Sequence, residues 1–410
     1  MRGSLWPWAG GILFFLGLVL QQIPLLLVAL LVLLVRGVNR LWEKYALVRI
    51  HFTRRLSTGR AFFGEEVTLV EEITNRKPLP LPWLEVEDEV PRDITFLRYR
   101  TDHSHIVSRA LLGSLISLGW YHRVTRRYRF RCDSRGIFTF GPAVIRSGDL
   151  FGFSRQQMEF PVTDRLIVYP RVVPLERVTV PSKQPLGNIR LRRHIFQDPL
   201  LTIGVRDYHP GDSLKRIHWK ATARTGQLQT RLYEPTTSVD MGIFLDVRTV
   251  TPPGWGTVQQ LQEIGVMAAA AIASHAMGNG YRVGLYVNQR RQLTGEAVRI
   301  APSQHPDQMT GILEALAQVH SAQESMPMSR FVLLESRSLP WGSTLVLVTA
   351  VPTEPLLATL LAMKRAGRRV VLVLVGGRPP ARLKGLPVYH VSDTTPWRQV
   401  ESISLREVAA

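Results

Sequence analysis

Four side chains able to move a proton or hold a cation lie within a dozen residues of one another: Asp207, His209, Asp212 and His218. Carboxylates and imidazoles are the commonest zinc ligands after cysteine, and the commonest general acids and bases near neutral pH. Their spacing argues against both uses. No two of the histidines stand in the His-Glu-x-x-His relation that sets two ligands on one helix face, and no Gly-x-Ser-x-Gly, Walker-type or dinucleotide glycine motif occurs elsewhere. We therefore expect no catalytic residue, and keep a hydrolase centred on this cluster as an alternative. The single cysteine, Cys132, excludes an intrachain disulfide and a cysteine-held metal cluster. It falls on the apolar side of a strand pattern and reads as a small core residue.

The same cluster sits inside a denser run, Asp-Tyr-His-Pro-Gly-Asp from Asp207 to Asp212, then Arg216-Ile217-His218-Trp219-Lys220-Ala221-Thr222-Ala223-Arg224. Pro210 and Gly211 predict a turn, with Asp212 placed to accept backbone N–H groups or to pair with Arg216 four residues on. Trp219 offers a broad surface for packing, or for stacking by Arg224. Two uses fit these residues: a polar staple between the flanking domains, satisfied internally, or a docking surface for another protein.

The positions Asp207, Tyr208, Pro210, Gly211, Asp212, Arg216, Ile217, Trp219, Lys220 and Arg224 closely resemble the signature of the bacterial family known as domain of unknown function 58. The resemblance extends outward to the Arg135-Gly136 turn before a strand, to Asp149-Leu150-Phe151-Gly152, and to Val168-Tyr169-Pro170. It implies a short N-terminal membrane segment, a β-rich region and a C-terminal von Willebrand A-like domain. It also implies a MoxR-type AAA+ ATPase as partner.

A von Willebrand A domain holds its metal with Asp-x-Ser-x-Ser, completed by a Thr and a later Asp. Here the matching run is Asp246-Val247-Arg248-Thr249-Val250. Both serines are gone and a cation, Arg248, stands inside the motif. Fewer oxygen ligands and an added positive charge predict no metal, with Asp246 pairing instead with Arg248 or another basic group. A metal-dependent ligand-binding module is the other alternative.

These residues need elements to position them. From Trp6 to Val35 the chain is free of charge, too long for a signal-peptide core, and it is interrupted by Gln21, Gln22 and Pro24. A single span puts those amides near the bilayer centre, where unsatisfied polar groups are costly, whereas a hairpin places them in a turn at the far interface, so a hairpin is the expected arrangement. The basic run Arg36, Arg40, Lys44, Arg49, Arg54, Arg55 and Arg60 follows at once, and positive flanks stay in the cytoplasm. After it the period becomes two, as in Val67, Leu69, Ile73 and in Val124, Tyr128, Phe130, Cys132, the latter opposite a stripe of arginines from Arg123 to Arg131. The turn Asp133–Gly136 reads as a hairpin into Ile137–Phe140. Beyond residue 236, Val/Leu runs alternate with helical stretches, as a buried parallel sheet requires.

The expected fold is therefore α+β and multidomain: membrane helices and basic flank over 1–45, a small antiparallel β-sandwich over 46–180, a signature linker over 181–235, and a von Willebrand A-like doubly wound α/β domain over 236–410. Part of the net charge of +19 forms the basic run beside the apolar segment and the rest is scattered over strands and loops, with no nucleic-acid module, so lipid rather than nucleic acid is the expected anionic partner. Together these features describe a cell-membrane protein with cytoplasmic domains, acting as a non-catalytic adaptor or scaffold with no cofactor.

Overall fold

The computed structural model describes residues 6–106, 108–149, 155–177, 196–210, 212, 214, 217–236, 240–250, 256–290, 297–320, 326–377 and 385–408. The chain divides into two compact units, Met1–Tyr169 and Pro170–Ala410.

The first unit opens with two helices, α1 (Trp6–Val19) and α2 (Ile23–Tyr45), packed antiparallel across a turn at Leu20–Gln22. Gln21 takes a positive φ of 49° there, and Pro24 sits in the first turn of α2, where its missing N–H has no partner to lose. Gly10 and Gly17 allow the close approach, since a Cβ on Gly17 would lie 3.2 Å from Leu26 and one on Gly10 3.1 Å from Val32. The outer surfaces, including Phe15, Leu18, Leu27, Leu31 and Leu34, are apolar and exposed. Among the described helices α2 is long and apolar enough to cross a membrane.

Twelve strands follow: β1 (Ile50–Leu56), β2 (Arg60–Phe62), β3 (Glu66–Asn75), β4 (Leu81–Pro91), β5 (Thr95–Phe96) and β6 (Asp102–His103). Then come β7 (Arg109–Leu118), β8 (Arg123–Arg131), β9 (Gly136–Phe140), β10 (Ala143–Gly148), β11 (Arg155–Phe160) and β12 (Asp164–Tyr169). They form sheets of order β1-β3-β8-β5, β11-β10-β4-β7-β6 and β2-β12-β9. The two larger sheets are antiparallel and pack face to face, with Val67, Leu69, Tyr128 and Phe130 of one against Val90, Ala110 and Leu112 of the other. Cys132 is fully buried in that core, which pushes its thiol up to about 12. Arg123, Arg127, Arg129 and Arg131 face outward as the alternation requires.

The expected β8–β9 hairpin does not form. Cys132 continues to bond the chain at Gly64 and Glu65, and the turn after it carries the chain into the third sheet, where β9 pairs with β12. The sequence shows a turn between two strands but not which neighbour the second strand takes. The chain also leaves this unit earlier than residue 180, since β13 (Leu175–Arg177) pairs parallel with the last strand of the C-terminal sheet.

Two buried cations fix this unit. Lys77 is 5% exposed and its Nζ donates to the carbonyls of Ala46 and Val48, the latter at 2.9 Å, so it caps the C-terminal end of α2 where carbonyls lack intrahelical partners. Trp42 Nε1 adds a bond to Pro80 O at 3.0 Å, and Ala46 and Leu47 enter the apolar core beside Ile50, Ile73 and Leu118. The second cation, Arg54 on β1, donates to Asp88 on β4, to Asp164 Oδ2 at the start of β12 at 2.9 Å, and to Val162 O. Gly141 leaves room for it, with a φ of 94° and no side chain where a Cβ would strike the guanidinium. Beside this pair Glu71 on β3 is buried next to Asp88, and burial first, then the neighbouring Asp88 charge, pushes its carboxyl up to about 8. Burial likewise raises Asp88, against the pull of Arg54.

The second unit holds β13, β14 (Phe196–Asp207), α3 (Trp219–Thr225), β15 (Gln229–Thr236), β16 (Asp240–Leu245), α4 (Gln259–Gly278), β17 (Arg282–Arg290) and β18 (Ala297–Ser303). It continues with α5 (Gln308–Ala317), α6 (Met328–Glu335), β19 (Thr344–Thr349), α7 (Glu354–Arg365), β20 (Arg369–Val375), β21 (Val388–Val391) and β22 (Ile403–Glu407). The main sheet has the order β13-β22-β21-β20-β19-β16-β17-β18. Strands β17, β16, β19, β20 and β21 run parallel and β18 is antiparallel, so the strand order reverses beside β16, as in doubly wound sheets. Helices α6 and α7 cover one face with Phe331, Val332, Leu356 and Leu360, while α4 and α5 cover the other. The alanine-rich middle of α4 is buried throughout, because small side chains let sheet, α5 and the C-terminal segments approach it together.

Glu71 makes stability depend on pH with a definite sign. Unfolded, it loses its proton near 4.5; folded, near 8. Between those values the folded chain holds the extra proton, so rising pH favours unfolding, by at most about 1.4 kcal/mol per unit. In denaturation of the full chain in detergent between about pH 4.5 and 8, wild type should lose stability with rising pH and Glu71→Gln should give a flatter curve; parallel curves would contradict this.

Candidate functional site

Two polar constellations lie in the second unit. The first is built at the carboxyl end of the parallel sheet, where apolar strands end together and backbone N–H groups turn toward solvent. Asp246 follows β16 and is buried, with its N–H still bonded to Val348 O at 2.9 Å. Its Oδ1 accepts from Asn288 Nδ2 at 2.7 Å and from Arg248 N at 3.2 Å, and pairs with Arg248 Nε at 3.5 Å. Its Oδ2 accepts from Thr349 Oγ1 at 3.1 Å. Asn288 in turn accepts from Val247 N at 2.9 Å, and Thr249 Oγ1 accepts from Val258 N, the residue that opens α4, at 2.8 Å. Gln262 and Gly265 of α4 and Ala350 close the crevice.

Both oxygens of Asp246 are thus used by protein donors, and the charge balancing it is a guanidinium of the same loop. Among the described residues no group of three His, Cys, Asp or Glu side chains could hold a metal ion. The pairing of Asp246 with Arg248 is legible from their spacing. Asn288 escaped notice, and its one signal was a lone amide closing the apolar strand pattern that starts at Val283.

The second constellation is the signature run. Where the sequence suggested a linker, β14 and β15 form an antiparallel two-stranded ribbon, from Phe196↔Thr236 to Asp207↔Gln229, with α3 inside the connection. Asp207 Oδ1 accepts from Gln229 Nε2 at 2.6 Å across the ribbon. Asp212 Oδ2 accepts from His209 N at 3.1 Å, the backbone bond expected of it, and its Oδ1 pairs with Arg206 at 2.7 Å. The His209 N–H and then the Arg206 guanidinium hold the Asp212 carboxyl below the usual carboxylate range. Gly211 and Arg216 lie outside the described residues, as do Leu150–Gly152 of the outlying motif. Tyr208 N bonds Leu228 O at 2.9 Å, and Pro210 is exposed in the turn.

His218 is used structurally: its Nδ1 accepts from Ala221 N at 3.0 Å as the cap of α3, which closes on Gly226 with φ 71°. The cap places Trp219 in the first turn, 67% exposed, with Lys220 and Arg224 also exposed and one helical turn apart. Leu214 is exposed to 69% nearby in sequence. His209 has its Nδ1 3.1 Å from Asp207 O and 3.3 Å from an Arg206 nitrogen. The four groups that could have done chemistry are accordingly engaged with ribbon, turn and helix cap.

Residues 204–333 match the family described as protein of unknown function DUF58. The uncharacterized protein YeaD of Bacillus subtilis (strain 168) is 24% identical over 292 residues, 70% of this chain and 66% of that protein. The chain therefore spans just under two thirds of that relative's length. The chain is thus similar to the DUF58 family over residues 204–333 and, separately, to YeaD. The DUF58 match begins in β14 and ends in α6, so it takes in the signature, Asp246 and Asn288. Solved structures add little. A CARDB domain from Pyrococcus furiosus matches with TM-score 0.21 and 10% identity, over 30% of this chain and 90% of that one. A cohesin module from Clostridium perfringens matches with TM-score 0.21 and 8% identity, over 29% and 96%. Likenesses this slight carry no argument about fold or function.

Asp246→Ala should strip Asn288 and Thr349 of their acceptor and leave Arg248 without its countercharge. A loss of about 2–4 kcal/mol is expected for such a buried group, read as a lower denaturant midpoint of the full chain; an unchanged midpoint would mean the constellation contributes nothing to the fold.

Proposed function

We propose that the chain is a membrane-anchored, non-catalytic adaptor that binds another protein through the α3 arm of its C-terminal unit. The observation that carries this is the contrast within the signature: its two aspartates are held by Arg206, Gln229 and the His209 N–H, while Trp219 and Leu214 are held out in water. Exposing a tryptophan gains nothing for the fold, whereas Trp and Arg are the side chains that most often anchor protein interfaces. Lys220 and Arg224 beside it give the surface a positive rim suited to an acidic partner.

The strand order, with the antiparallel β18 outside β17, supports the von Willebrand A-like reading, and the occupied oxygens of Asp246 support a variant that works without a metal. A metal-dependent module would need Arg248 displaced and further oxygen ligands supplied. The apolar α2 supports the anchor, and the basic residues from Arg36 onward support a cytoplasmic side for the domains. A MoxR-type AAA+ ATPase is the partner that the signature's resemblance suggests.

The test is capture of such an ATPase by the full chain in detergent. Trp219→Ala combined with Leu214→Ala should weaken binding by roughly 30-fold, the effect of removing one interface hot spot, and leave the melting temperature where it was. Undiminished capture, or a fragment that turns over a substrate, would remove the proposal. Millimolar Mg²⁺ or Mn²⁺ should leave the melting temperature unmoved; a rise would favour the metal-dependent reading.

A further inference from the structure

The sandwich has two ends, and the pairing registers show which one follows α2. Strand β1 starts at Ile50 opposite Asn75, the last residue of β3. Asn75 N bonds His122 O at 2.9 Å, and its Nδ2 bonds Leu79 O at 2.9 Å and Gly119 O at 2.8 Å. Tyr121 N bonds Lys77 O at 3.2 Å, and the ammonium of Lys77 reaches back to the carbonyls ending α2. The β7–β8 turn is therefore tied, through a single buried lysine, to the point where α2 enters the domain. At its tip Trp120 and Tyr121 are 71% and 69% exposed. Arg49 and Arg76 are exposed on neighbouring strand ends, joined by a bond from Arg76 N to Arg49 O at 3.1 Å.

Two of these features have no use within the fold. Trp120 and Tyr121 bury little surface, and Tyr121 accepts a φ of 49° that non-glycine residues seldom adopt. An aromatic pair held in water is stabilised where an apolar layer meets a polar one, and the lipid headgroup region is such a place. Distance allows it. With Trp42 marking the hydrocarbon boundary as an interfacial tryptophan, Ala46 lies about 6 Å farther along α2, within a headgroup layer of roughly 5–7 Å. The charge fits as well: Arg40, Lys44, Arg49 and Arg76 surround this end against Glu43.

We propose that the β7–β8 tip lies in the headgroup layer of the membrane that α2 crosses, with Trp120 and Tyr121 as interfacial anchors and the arginines meeting anionic lipid. This rests on the membrane-anchored reading, and the two can fail separately. The full chain is reconstituted in vesicles of phosphatidylcholine with phosphatidylglycerol and floated, so that a chain left at the bottom ends both ideas. A fluorophore is placed on Gly119→Cys, where a Cβ meets only His122 at 3.7 Å and both aromatics remain. A reference fluorophore is placed on Asp93→Cys, beyond the end of β4 remote from α2; buried Cys132 stays unlabelled.

The label at 119 should be quenched by headgroup-level nitroxide lipid and shielded from iodide, and the label at 93 should behave oppositely. Adding Trp120→Ala and Tyr121→Ala should restore iodide access at 119 at least about threefold, and omitting phosphatidylglycerol should restore it at least about twofold. A floated chain whose position 119 is as open to iodide as position 93 would overturn the tip's placement while leaving the anchor intact. Shielding that appears only when a soluble protein is added would overturn it too, in favour of a protein contact.

Discussion

The Arg54 guanidinium is almost wholly out of water, and a charge in that position costs several kcal/mol unless the protein supplies what water did. Asp88 on β4 and, from the segment that opens β12, Asp164 and the Val162 carbonyl supply it, all far from Arg54 along the chain. Strands β1, β4 and β12 are thereby held in one arrangement. Lys77 solves the same problem at the other end of the sandwich by spending its charge on the last carbonyls of α2. Asp246 does so in the second unit with Asn288, Thr349 and Arg248. Each buried charge selects one packing out of many, since the alternatives leave an ion unpaired.

Seen this way, the two constellations of the second unit differ in kind. Around Asp246 the donors converge inward on its two oxygens, and the crevice at the switch point of the sheet is lined by Gln262, Gly265 and Ala350. Around Asp212 the polar bonds serve to hold a turn, and the side chains left over are large and exposed. A capping histidine and a left-handed glycine bracket a helix of seven residues too short to be stable alone, and so fix where its tryptophan stands.

Local patterns in the sequence were sufficient for much of this. Strict alternation placed the arginines of β8 outside and Tyr128, Phe130 and Cys132 inside, because period two is a property of a single strand. The missing serines after Asp246 and the cation within that motif anticipated the ion pair found there. What needed a partner far along the chain was invisible. Nothing near Asp133–Gly136 tells β9 to pair with β12 rather than β8, and nothing near Asp212 marks Arg206, six residues before it, as a partner. Lys77 looked like any lysine in a proline-rich loop, since its role depends on where α2 ends.

The coupling of α2 to the sandwich has a further consequence. A helix followed by a free hinge would leave the domain to tumble beside the membrane, but here Ala46 and Leu47 enter the core directly, and the connection before β1 is only Ala46 to Arg49. The bonds from Lys77, Trp42 and Gln156 to this junction make the first unit a rigid extension of the helix. Rigidity matters because ordering entropy would otherwise oppose any weak contact between the β7–β8 tip and lipid. With the orientation already set by the fold, even two aromatic side chains and a few arginines can act together at the membrane surface.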